Sequence, residues 1–273
     1  MTFTEIRQVT APDGCRLAYR DLDADHSGAV VLLHSLGADG TMWEPCAERL
    51  TDCFRVIIPD SRGHGASGRA PRTSVDQWAE DIATVLHHAG VQDALLAGVS
   101  MGGIQALAYA AAYPGTLCGL VVADSFASLP VEIAAAKIAS FTDQAHTTSM
   151  AEVAATYVAD TFREPVPSAG DAVRHAMAGL DAEDFVAAVE ACFGAQLDDR
   201  LSDVKEPVRV LWGERDGKTP RALSESIVRQ LPEATLRVIP GAGHLSNVDN
   251  PDVFATELRE FKAALRARPA SEV

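Results

Sequence analysis

A serine, an aspartate and a histidine in this chain stand at positions from which folding could bring them together. Ser100 lies in Gly98-Val99-Ser100-Met101-Gly102-Gly103, directly after the apolar run DALLA and before a helical pattern. A serine in so tight a strand-to-helix turn presents its hydroxyl at the carboxyl end of a sheet. The residues two before and two after it must lack side chains, and here they are Gly98 and Gly102. The helix start adds free N–H groups where negative charge would develop. A serine hydroxyl is a weak nucleophile without a base beside it. Of the eight histidines, His244 follows the last strand-like run, in Pro240-Gly241-Ala242-Gly243-His244. The acid of such a trio falls between nucleophile and base in the chain. Asp216, just after VRVLWG, is the candidate, with Glu214 and Asp124 as alternatives. Together the three would perform acyl transfer, the imidazole taking the hydroxyl proton and the carboxylate holding the imidazole's tautomer.

Acyl transfer also needs N–H donors for an oxyanion. The amide of Met101, next to the nucleophile, is one, and the loop His34-Ser35-Leu36-Gly37 places a second at Leu36. His34 reads as a structural residue that ties this loop down. The turn Asp60-Ser61-Arg62-Gly63-His64-Gly65-Ala66-Ser67 likewise reads as structural, its glycines letting the backbone pass close beneath the site. Trp43 and Phe126, with Met42, are candidates to line a substrate pocket, although packing explains such residues equally well. His34, His64 and His244 lack metal-ligand spacing, so no metal is expected. His87 and His88 read as surface positions on a helix. His146 and His175 fall in an Ala-rich helical stretch, and His26 in a polar turn.

These residues need a scaffold that delivers them to one edge. Short β-branched runs supply it at 29–34, 54–60, 93–100, 117–125, 208–213 and 235–240. Their nearly continuous apolarity suits strands covered on both faces. Helical patterns at 75–90, 101–113, 219–231 and 251–267 alternate with them, which predicts an α/β fold with a mostly parallel sheet flanked by helices. Two further strands, Glu5–Thr10 and Cys15–Asp21, flank a Pro12–Gly14 turn as an antiparallel hairpin, making eight in all. Residues 127–203 break the rhythm. They are Ala-rich and helical, punctuated by Pro165, Pro167, Gly170 and Gly179, and read as a helical cap inserted after the sixth strand. The expected organisation is a core of residues 1–126 and 204–273 with the cap at 127–203.

Composition narrows the function classes. A formal net charge of −15 disfavours nucleic acid and anionic lipid as partners. Five scattered cysteines without CxxC spacing suggest neither a disulfide framework nor zinc. No signal-peptide pattern and no run of about 20 apolar residues is present. The expectation is a cytoplasmic enzyme, with its oligomeric state left open.

Taken together, in this order, the motifs resemble the α/β-hydrolase superfamily from about Arg16 to Phe261. Within it the chain is most similar to the 3-oxoadipate enol-lactonases. That likeness rests on His34-Ser35-Leu36-Gly37-Ala38-Asp39 with Met42-Trp43, on Asp60 to Ser67, and on Gly243-His244-Leu245-Ser246-Asn247. It implies hydrolysis of a small-molecule ester or lactone without a cofactor, through a triad of Ser100, Asp216 and His244. The same framework serves C–C bond hydrolases and cofactor-free haloperoxidases or perhydrolases, and some members bind a small ligand without turnover. A 3-oxoadipate lactone carries a carboxylate, which calls for a cationic partner. Against thirteen acidic residues the cap offers Lys137, Arg163, Arg174 and Arg200.

Overall fold

A computed structural model of the chain describes residues 3, 5–22, 26, 28–70, 72–162 and 166–267. Arg163 and Pro165 lie outside them. The strands are β1 (Arg7–Thr10), β2 (Arg16–Leu22), β3 (Ala29–Leu33), β4 (Arg55–Asp60), β5 (Ala94–Val99), β6 (Leu117–Ala123), β7 (Val208–Gly213) and β8 (Thr235–Ile239). They form one eight-stranded sheet in the order β1-β2-β4-β3-β5-β6-β7-β8. The β1–β2 and β2–β4 pairs are antiparallel, and every later pair is parallel. This is the architecture expected from the alternation of apolar runs and helical patterns.

Every residue of β3 and β5 is buried. That follows from helices on both faces: α2 (Val75–Ala89), α3 (Met101–Ala112), α8 (Arg221–Gln230) and α10 (Pro251–Arg266), with the short α1 (Glu44–Ala47) and α9 (Ser246–Asp249). Helix α2 carries the local signals for its ends. Ser74 accepts from the Gln77 amide at its start, and Gly90 closes it at φ 64°.

Register decides what this sheet can position. Leu33 pairs with Gly98, Val99 with Ala123, Ala123 with Leu211, and Gly213 with Ile239. The carboxyl ends of β3, β5, β6, β7 and β8 are therefore level. The loops that follow, which contain Leu36, Ser100, Asp124, Asp216 and His244, leave one edge side by side.

Over that edge sit α4 (Val131–Thr147), α5 (Met150–Thr161), α6 (Ser168–Ala178) and α7 (Ala182–Phe193). Ser149 and Glu152 form a reciprocal capping box at the start of α5, which marks a sharp corner between α4 and α5. The two ends of this insertion meet. Ser128 and Gln196 make an antiparallel bridge, and Ser128 Oγ accepts from the amides of Leu197 (2.9 Å) and Asp198 (3.1 Å). The 3-10 turn Asp198–Asp203 lies beyond that junction and packs on α3. Helices α4 to α7 thus lie between these two residues. No helix among the described residues is long and apolar enough to cross a membrane.

Candidate active site

Ser100 occupies φ 54°, ψ −117°, a backbone conformation that side chains other than glycine's adopt at a cost. The two glycines around it make the turn possible. A Cβ on Gly98 would lie well under 3.0 Å from the Gly102 backbone, and one on Gly102 would meet the Leu33 carbonyl equally closely. The turn is tethered by Ser100 N–H donating to the Ala123 carbonyl (2.9 Å) and by Ser125 Oγ donating to the Ser100 carbonyl (2.7 Å).

His244 Nε2 stands 3.0 Å from Ser100 Oγ, and its Nδ1 stands 3.2 and 3.1 Å from the two Asp216 oxygens. Asp216 accepts from the amides of Lys218 (2.8 Å) and Thr219 (3.0 Å) and from the Thr219 hydroxyl. An ionised carboxylate only accepts, so Nδ1 carries the imidazole proton and Nε2 is left to accept from Ser100. Burial pushes the Asp216 carboxyl upward, but the bonds from His244 and Thr219 outweigh it and hold the group below its ordinary value. A hydroxyl, an acceptor imidazole and an ionised acid are thereby lined up for proton withdrawal.

The alternatives for the acid go elsewhere. Glu214 is exposed and accepts from the Gly241 amide (2.8 Å). Asp124 is fully buried at φ 48° and accepts from the Gly213 amide (2.7 Å), the Ser246 amide (3.1 Å) and the Ser246 hydroxyl. It joins the end of β6 to the loops carrying Asp216 and His244 without touching the imidazole.

In the loop after β3, the Ser35 amide points to Met42 Sδ (3.4 Å), the Gly37 amide to His64 Nε2 (3.3 Å) and the Ala38 amide to the Ser35 carbonyl (3.1 Å). Among the described residues the Leu36 amide has no such acceptor. The Met101 amide, at the first position of α3, has no partner within its own helix. His34 and His64 are wholly buried braces. His34 donates from Nδ1 to the Ser35 carbonyl (2.8 Å) and accepts at Nε2 from the Ser61 amide (2.8 Å). Burial lowers the His34 imidazole, and burial with the neighbouring His34 pulls His64 down to about 3. Both stay neutral, as their acceptor roles require. Arg62 and Asp60 are braces too: Arg62 makes two 2.7 Å bonds to Asp81, and Asp60 accepts from Arg20, Gly40 and Ala66.

A cavity of about 480 Å³ opens between sheet edge and cap, with Ser100, His244 and Leu36 in its floor. That is ample for a small molecule. Phe126, one of the pocket candidates, lines it, parallel to Phe193 (6.3 Å between centroids), which is parallel in turn to Phe141 (5.5 Å). Trp43, the other expected pocket residue, does not line it. The 3-10 turn Gly40–Trp43 carries the indole inward, where it is wholly buried edge-on against Phe254. Met42 is equally buried, its sulfur turned to the loop after β3.

Of the cap cations, Lys137 lines the cavity, whereas Arg174 pairs with Asp171 and Arg200 with Asp76. A second lysine, Lys218, joins it from the loop after β7. Sequence reasoning passed over Lys218. Its place two residues after Asp216 was the available signal, since a short turn keeps neighbours of the acid at the sheet edge. Tyr157 was also missed. It descends from α5, and its hydroxyl meets Ser35 Oγ at 3.4 Å.

Comparison with known proteins agrees with this architecture. The model of the alpha/beta hydrolase family matches residues 30–257. 3-Oxoadipate enol-lactonase 2 of Acinetobacter baylyi is 29% identical over 228 residues, 83% of this chain and 85% of that protein. Among solved structures, a malate-bound thermophilic esterase from Thermogutta terrifontis superposes with a TM-score of 0.86 at 28% identity, covering 96% of this chain and 99% of that one. The enol-lactonase of Burkholderia xenovorans LB400 gives 0.83 at 25% identity, covering 94% and 100%.

Proposed function

This chain belongs to the alpha/beta hydrolase family, and from that premise we propose that it is a serine hydrolase cleaving a small carboxylic ester or lactone. The observation that carries the reading is the unbroken line from Ser100 Oγ through His244 to Asp216, opening into a mostly apolar cavity. The esterase and enol-lactonase relatives support this choice of bond.

In the proposed reaction the substrate carbonyl enters above Ser100. His244 Nε2 takes the hydroxyl proton as Oγ attacks, and the imidazolium is stabilised by Asp216. The oxygen that becomes negative is received by the amides of Leu36 and Met101. His244 then gives its proton to the leaving oxygen. For a lactone that oxygen remains attached to the acyl chain, so it must swing aside within the cavity before water enters. Water activated by the same imidazole attacks the acyl-enzyme and regenerates Ser100.

Acid release followed by pH-stat over small esters and lactones, the 3-oxoadipate enol-lactone included, tests the reading. Wild type is expected to hydrolyse at least one of them, and Ser100→Ala to lose about 10⁴-fold or more in kcat. A folded wild type that releases no acid from any would remove ester hydrolysis. Fission of a carbon skeleton, seen by product analysis, would move the assignment to a C–C bond hydrolase.

A further inference from the structure

Two positive charges face a cavity that is otherwise mostly apolar. Lys137 reaches it from α4 and Lys218 from the loop after β7, each half-buried. Each lies against an aromatic face: Lys137 Nζ is 5.4 Å from the centroid of Phe193, and Lys218 Nζ 4.9 Å from that of Tyr157. Among the described residues neither has a carboxylate within ion-pair distance. The scarcity is local, because the chain has 38 acidic residues against 23 basic ones. Burial lowers the Lys218 ammonium and Lys137 adds to that, more than Asp160 on α5 and Asp216 offset. Two cations in a partly dry space, neither in an ion pair among the described residues, are costly, and an anion between them would relieve both.

Apolar surface continues from the lysines toward Ser100. The parallel rings of Phe126, Phe193 and Phe141 make one flank of the cavity, and Leu129 and Leu223 add to it. We infer that the substrate is a monoanion with a largely apolar, flat body, its carboxylate held between Lys137 and Lys218 while the ester or lactone carbonyl lies over Ser100. The inference rests on the hydrolase reading for the reacting bond, but the anion site stands on the lysines alone. One lysine comes from the cap and one from the sheet edge, so the bound carboxylate also ties cap to core. Neutral esters gain the aromatic contact without the ionic one.

Binding and turnover separate the two readings. With Ser100→Ala protein, calorimetry compares 4-phenylbutanoate with its neutral counterpart 4-phenylbutanol. The acid is expected to bind roughly ten- to a hundredfold more tightly, the range for charge-assisted bonds to a partly buried site. That preference should shrink in Lys137→Met and Lys218→Met, vanish in the double variant, and return in Lys218→Arg. With Ser100 intact, the ratio of kcat/KM for mono-p-nitrophenyl glutarate over p-nitrophenyl butanoate should fall in parallel. Equal affinity for acid and alcohol, or a preference that survives the double substitution, overturns the anion site. A preference that follows the lysines in a protein that hydrolyses neither ester supports the anion site and overturns the hydrolase reading.

Discussion

Replacing Asp216 by asparagine separates the proposed acid from its buried neighbour. In the native arrangement the Lys218 and Thr219 amides both donate to Oδ1, the Thr219 hydroxyl donates to Oδ2, and His244 Nδ1 lies 3.2 Å from Oδ1 and 3.1 Å from Oδ2. Asparagine satisfies the two amides only with its carbonyl at the Oδ1 position. Its NH₂ then faces His244 Nδ1 and donates to it. That contact favours the tautomer with the proton on Nε2, which points at Ser100 Oγ from 3.0 Å and can then no longer accept. The base is present but in the wrong tautomer. A change of this kind costs about 10⁴-fold in kcat, or ~5.5 kcal/mol at about 1.4 kcal/mol per decade. Steady-state hydrolysis of p-nitrophenyl acetate reads it, with thermal unfolding confirming that the fold persists. Asp124→Asn in the same assay should lose far less, because Asp124 touches Ser246 and Gly213 but not the imidazole. If Asp216→Asn keeps more than a tenth of wild-type kcat while Asp124→Asn collapses, the assignment of the acid is wrong.

Three further outcomes are expected. Gly98→Ala drives a methyl into the Gly102 backbone and should lower the unfolding midpoint in urea by an amount equivalent to about 3 kcal/mol or more, a cost of strain rather than of lost contacts. Trp43→Ala empties a fully buried site against Phe254 and should cost about 3–5 kcal/mol of stability. Because the indole lies outside the cavity, KM of the remaining folded enzyme should stay within about twofold, and a large change in KM would return Trp43 to the pocket. Burial, helped by the nearby Asp216 charge, raises the Asp124 carboxyl well above its ordinary value despite the bonds it accepts. The folded chain then holds that proton more tightly than the unfolded one. Its effect is absent below the unfolded value near 3.8, and stability declines as pH rises from there toward the folded value. Urea titrations at pH 5 and pH 8 should show a smaller loss with rising pH in Asp124→Asn than in wild type; identical slopes would refute the shift.

The parts of the site that were legible in the sequence are those under steric duress. Ser100 can occupy its turn only with bare glycines on either side, so the fold writes itself into Gly98 and Gly102. The sheet was readable for a related reason, since strands buried on both faces have no room for polar residues. Trp43 was misplaced because its neighbours in sequence run along the loop after β3. A single 3-10 turn packs the indole against Phe254 instead of the cavity, and no pattern of residue types encodes that rotation. Lys218 went unremarked because a lysine beside an acid reads as a surface charge. It becomes a cavity residue only once α4 and α5 close over it, and the placement of a cap is set by packing across many residues rather than by any local motif.

The closure at Ser128 has a consequence for how such a molecule can change. Because the two ends of the cap are clasped at its base by Ser128 and Gln196, the sheet registers a short hairpin whatever is mounted above it. Lengthening a loop whose ends are already fixed costs only about 0.6 kcal/mol per doubling. The segment between the clasped residues can therefore lengthen or shorten at little entropic cost to the sheet. Substitution there can redraw the walls that choose the substrate, Lys137 and the Phe141–Phe193 flank included, with the core meeting the change only where cap side chains such as Tyr157 reach it.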